Sequence, residues 1–174
     1  MGSLDDLFSA MDNAPLNSKG KYMGEGDFIV APKVIKYKQG YKGKSFIHEF
    51  TILKSSNPDF PVGSSGCQVI KLDKDQAWGD IKAFMLAIAC GVNPKTIKDP
   101  PQDSELHAAA TAFAKAAIDP AYAAKLTPPQ DPDFLIGVPV KLECVKVKTS
   151  KGGDFTVHNW TPVSEEEVEA LAAA

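Results

Sequence analysis

The chain has no arginine; all 19 of its basic residues are lysine. A guanidinium fork grips a guanine edge or a carboxylate with two parallel hydrogen bonds, and that mode of recognition is closed to this protein. Cysteine is scarce: Cys67, Cys90 and Cys144 are isolated and odd in number, which argues against a disulfide framework. Each is expected to be a small buried hydrophobe rather than a reactive thiol. The three histidines, His48, His107 and His158, have no ligand spacing among themselves or with the cysteines, so neither a metal nor another cofactor is expected. No apolar run approaches the ~20 residues that span a bilayer, so no membrane contact is expected. The opening Met1-Gly-Ser-Leu-Asp-Asp-Leu-Phe8 is acidic where an export signal is basic, which predicts a cytoplasmic protein. No repeat with a period of about 20–50 residues suggests a solenoid or propeller.

Catalytic signatures are missing too. Gly43-Lys44-Ser45 has the ending of a phosphate-binding loop, but Lys38 stands where its first glycine belongs, and a strand follows where a helix is required. Gly63-Ser-Ser-Gly66 lacks the following lysine and reads as a turn. No serine sits in a nucleophile elbow. Asp73 and Asp75 straddle a helix start, where capping accounts for them. With no acid–base pair or nucleophile in view, the chain is expected not to be an enzyme.

What the chain does have is a block of strands studded with lysine. A length of 174 residues, 44% of them hydrophobic and 24% charged, suits one domain with a real core. Residues 27–38 are rich in β-branched and aromatic side chains between Gly26 and Gly40, and Pro32 predicts an edge or a bend there. A glycine-bounded turn, 39–43, leads to a second strand at 45–54. Its alternation puts Phe46, His48, Phe50 and Ile52 on one face and Ile47, Glu49, Thr51 and Leu53 on the other. A Pro/Gly/Ser-rich loop then precedes a short strand at 67–73. Between positions 19 and 98 thirteen lysines face seven acids, a balance of +6 in a chain whose net charge is −3. Lys33, Lys36, Lys38, Lys42 and Lys44 surround the first hairpin, with Tyr37, Tyr41 and Phe46 between them. Ammonium groups meet phosphates and release counterions, while rings stack on bases at about 1–3 kcal/mol each. The bland alternative is a solvated hairpin whose lysines protect a sheet edge.

Two helices should follow. Asp73 with Gln76 offers a cap, and Ala77, Trp78, Ile81, Phe84, Met85 and Ile88 form a stripe that ends at Gly91. Trp78 is therefore expected in the core. After a proline connector, Ser104 caps an alanine-rich helix to Ile118, broken by Asp119-Pro120. A long strand is expected over 135–148. Val138, Val140 and Leu142 share one parity and Val145 and Val147 the other, so a β-bulge is expected near Glu143-Cys144. The turn 150–153 leads to a closing strand at 154–160. Residues 1–25 form an arm in which Leu4, Leu7, Phe8 and Met11 make an amphipathic turn, either docked on the domain or disordered. Residues 163–174 form an acidic tail expected to be mobile or a frayed helix. Between them, 26–162 reads as a mainly β domain, a five-stranded OB-fold barrel with a helical insertion at 74–126 between strands 3 and 4.

With these elements in place, the chain resembles phage-encoded single-stranded DNA-binding proteins with an OB fold. The likeness rests on Gly40-Tyr-Lys-Gly43, on 46–53, on the helix ending Ala-Ile-Ala-Cys-Gly91, on Leu135-Ile-Gly-Val-Pro-Val140 and on Phe155-Thr-Val-His-Asn-Trp160. It implies single-stranded DNA as ligand, with little sequence preference, in replication or recombination in the host bacterial cytoplasm, and it is compatible with a homo-oligomer. The binding residues it points to are the lysines above with Lys54 and Lys71, the candidate stackers Tyr37, Tyr41, Phe46, Phe155 and Trp160, and His48. It further implies that Glu165, Glu166, Glu167 and Glu169 recruit replication or recombination proteins. Many tails of that family carry an aromatic residue near the end, whereas this one closes on Ala172-Ala-Ala174. The rival reading is a non-enzymatic interaction scaffold, such as a phage counter-defence protein. The alanine-rich helix and the net negative charge favour it.

Overall fold

The computed structural model describes residues 21–41, 43–73 and 75–173. The amphipathic turn expected at residues 4–11 lies outside them. The chain runs β1 (Lys21–Tyr22), β2 (Gly26–Gly40), β3 (Gly43–Ser55), β4 (Ser65–Lys71), α1 (Asp75–Ile88), a 3₁₀ turn, α2 (Ser104–Ile118), α3 (Pro120–Lys125), β5 (Val140–Lys148), β6 (Asp154–Thr161) and α4 (Glu165–Ala173). All six strands form one sheet in the order β1-β4-β3-β2-β5-β6. β2 to β6 are antiparallel to their neighbours, and β1 adds a two-residue parallel rung to β4. The fold is thus mainly β with a few helices. The closed barrel is not formed: among the described residues no ladder joins β6 to β4, so the sheet keeps two open ends.

Period-two alternation gives β3 its buried face. Phe46, His48, Phe50 and Ile52 all point into the core and are essentially inaccessible. They meet Phe84 and Met85 of α1, Val30 of β2, Leu142 of β5 and Trp160 of β6. Each fully buried Phe, Ile, Leu or Met among them contributes about 1.5–3 kcal/mol of transfer free energy. Gly66 on β4 is needed for this packing, because a Cβ there would collide with Met23 and the Phe50 ring. α1 ends as its stripe predicts: Gly91 takes φ +65°, and the Val92 N–H donates to the Leu86 carbonyl at 3.1 Å. Asp119 caps α3 by accepting from the N–H groups of Ala121 and Tyr122.

The edge or bend expected at Pro32 is present: the β2–β5 ladder ends at Val30, so among the described residues only β3 pairs with β2 beyond that point, and the β2–β3 register slips between Pro32 and Val34. Other expectations are corrected. No bulge interrupts β5, whose registers with β2 and β6 are continuous, and the strand begins at Val140 rather than 135. Val145 and Val147 change parity because the β5–β6 hairpin outgrows the core and leaves them exposed. Trp78, expected in the core, is 54% exposed although it lies within about 20° of the direction of buried Met85: it stands in the first turn of α1, lining a groove against α2 instead of being covered by it. The acidic tail, expected to be mobile or a frayed helix, is helical over Glu165–Ala173 and is capped by the Ser164 hydroxyl, which accepts from the Glu167 N–H at 3.2 Å.

Candidate nucleic-acid interface

The β2–β3–β4 ladder decides which lysines share a face. Lys36 lies opposite Ile47, itself opposite Val69; Lys38 lies opposite Ser45, itself opposite Lys71. These positions have the parity opposite to Phe46, so they point away from the core. Lys33 joins them, donating from Nζ to the Ser65 hydroxyl on β4. Lys33, Lys36, Lys38 and Lys71 therefore form one cationic field on the outer face. Lys44, opposite Gln39, is exposed at the hairpin tip beside Tyr41, which is 95% exposed. Lys42 lies outside the described residues. Lys54 is not part of this field. It sits at the far end of β3, opposite Ile29, with Lys141 on the next strand, and lines a groove of about 360 Å³ with Asp27, Glu143 and Glu167.

The rings divide differently. Tyr37 pairs with Phe46 and projects from the opposite face to Lys36 and Lys38, yet it is 39% exposed because the hairpin extends past the core. Phe46, His48 and Trp160 are buried and cannot stack on a base: Phe46 anchors the hairpin, while the His48 ring lies 4.5 Å from Phe84 and 5.3 Å from Trp160. Phe155 is 48% exposed at the start of β6. It shares with Lys71 a groove of about 490 Å³ between β4 and β6, together with Tyr22, Gln68, Asp80 and His158. This groove is the gap that keeps the sheet from closing. Its opposite wall is acidic, through Asp73 in the turn before α1 and Asp80 on α1, and burial raises the Asp80 pKa. The groove is therefore cationic on the Lys71 side and acidic on the other.

Three lysines and one ring escaped sequence reasoning. Lys146, Lys148 and Lys151 decorate the exposed β5–β6 hairpin near Phe155, and the alternating Val145-Lys-Val-Lys148 was their signal. Tyr22 had no signal, since only the β1–β4 rung brings it to the groove.

The buried polar groups are unusual. Gln68 Oε1 can only accept, so the 2.5 Å contact fixes the proton on His48 Nε2 and leaves Nδ1 bare, without a partner. Burial drives the His48 pKa down to about 4, the Gln68 hydrogen bond opposing and nearby His158 assisting. Burial also drives His158 to about 4 against a backbone hydrogen bond at Thr156, and its Nε2 and the Trp160 Nε1 have no partner. Burial pushes the Cys144 thiol up to about 12, and it raises that of Cys90. Neither presents a ready thiolate. Among the described residues no three His, Cys, Asp or Glu side chains are grouped to hold a metal ion, and no helix is long and apolar enough to cross a membrane.

The four glutamates of the tail lie on α4, and among the described residues Glu167 alone pairs with a lysine of the domain, Lys141, at 2.8 Å from its Nζ. This partly exposed pair lowers the Glu167 pKa, the Lys141 hydrogen bond leading, and anchors the helix only weakly. No protein-family model and no curated protein matches the chain.

Proposed function

We propose that the chain is a non-catalytic single-stranded DNA-binding module with an OB fold. The strand order β4-β3-β2-β5-β6, with helices between β4 and β5, supports this reading of the sheet, because an OB barrel is a partly open five-stranded Greek key that binds through its central strands and flanking hairpin loops. The observation that carries the proposal is the outer-face field of Lys33, Lys36, Lys38 and Lys71, flanked by the exposed rings of Tyr41 and Phe155. Lysines track the backbone and rings stack on any base, so sequence preference is weak. The setting we propose is phage replication or recombination in the bacterial cytoplasm, with the acidic α4 available to partner proteins.

Fluorescent oligo-dT titrated at about 50 and about 200 mM salt tests the reading. Four neutralised phosphates give a log–log slope near −3, or about a 50-fold loss of affinity over that range, from a starting value of about 1 µM or better. Absence of binding at the lower salt would overturn the proposal and favour the interaction scaffold.

A further inference from the structure

α1 and α2 leave a groove of about 290 Å³ between them, on the core side of the sheet. Its walls are Trp78 and Ile81 from α1 and Ala114 and Ile118 from α2, with Phe46 at the floor. Two cations, Lys82 and Lys115, sit at its rim, and Lys115 also lies over the Tyr122 ring at 5.7 Å. An exposed indole beside an apolar slot flanked by lysines fits an amphipathic acidic helix. The chain carries such a helix. α4 has Val168, Leu171 and Ala172 at i, i+3 and i+4, with Glu165 and Glu169 beside Val168. None of its residues is buried, Val168 is exposed, and the Lys141 ion pair holds it weakly in place.

We propose that this groove receives α4 of a second copy of the chain. The helix cannot reach its own groove. α4 is tethered on the outer face, beside the row that links Lys54, Ile29, Lys141 and Thr161, whereas the groove opens on the other face near Phe46. Eight residues of β3 separate the two, about 26 Å along the strand, while the four steps from Thr161 to Glu165 span at most about 14 Å and Val168 lies only about 5 Å further along α4. The contact is therefore heterologous, groove to helix, and links copies head to tail. One short helix buries far less than the ~1,200 Å² of stable complexes, so association is weak in free solution.

The test uses full-length variants. Sedimentation velocity should show the native chain associating reversibly at about 100 µM and above, at low salt. Lys82→Glu/Lys115→Glu should be monomeric there, as should Glu165→Lys/Glu169→Lys. Mixing the two should restore association, because the reversed groove then faces a reversed helix. The exposed Trp78 should report the same events by a fluorescence shift, while buried Trp160 stays constant. A native chain that remains monomeric, or a mixture of folded variants that fails to associate, overturns the proposal. So does association that persists in either variant alone.

Discussion

Acid should destabilise this protein well above the range where carboxylates titrate, because two histidines must lose their hydration to sit where they do. His48 and His158 both fall from an ordinary 6.5 to about 4. The sign follows from proton counts. Below pH 6.5 the unfolded chain takes up protons that the folded chain refuses until about pH 4, so the unfolded state gains as pH falls. Stability is fully present above 6.5 and is lost on the way down to 4. Between pH 7 and pH 5 each group costs about 1.8 kcal/mol, or about 3.5 kcal/mol for the pair. For a domain of this size that is a fall in Tm of about 10 °C.

The structure gives the reason. Protonation of His48 would place an N–H on Nδ1, which has no acceptor, inside a ring cluster of Phe46, Phe50, Phe84 and Trp160. Asp80, whose pKa burial raises, works in the opposite direction. Calorimetric Tm from pH 7.5 to 5 measures the effect, and His48→Phe paired with Gln68→Leu isolates it. That double variant keeps the volume apolar and removes both ends of the hydrogen bond, so about half of the pH dependence should vanish whatever its Tm at pH 7. A native Tm flat to within about 2 °C over this range, or an undiminished slope in the double variant, refutes the reasoning.

Other consequences are read by simpler measurements. Lys38→Glu and Lys71→Glu should each weaken oligo-dT binding and flatten its salt dependence, whereas Lys54→Glu, away from the cationic field, should change it little. Phe155→Ala should cost about 1–3 kcal/mol of binding with Tm nearly unchanged; Phe46→Ala and Trp160→Ala should instead cost about 3–5 kcal/mol of stability, seen in denaturant midpoints. Gly66→Ala should destabilise by about 1–3 kcal/mol, because Met23 and Phe50 must move to admit the methyl group. Lys141→Ala should cost less than about 1 kcal/mol, as expected of a half-exposed ion pair.

Much of the architecture was legible because short-range periodicity carried it. The β3 alternation from Phe46 to Ile52 is a period-two signal, and the α1 stripe closed by Gly91 is a period-3.6 signal with a stop. The errors arose where tertiary distance decides. Whether β4 and β6 zip together depends on curvature summed over five strands, and no local pattern encodes it. The valines of β5 change parity because a hairpin leaves the core, which in sequence looks the same as a bulge.

The candidate site shows the same division in sharper form. Lysines and rings interleaved along one strand look like a single track, yet alternation itself forbids that: a tyrosine between Lys36 and Lys38 must face the other way. A continuous surface then needs its cations from one parity of β2 and from β4, and its rings from places where parity no longer applies. The tip residue Tyr41 is one such place. The other is the far side of the β4–β6 gap, where Phe155 and Lys71 share a groove although 84 residues separate them. In the proposed reading, binding along this face depends on the sheet staying open at that gap. A closed barrel would seal the groove that holds Phe155.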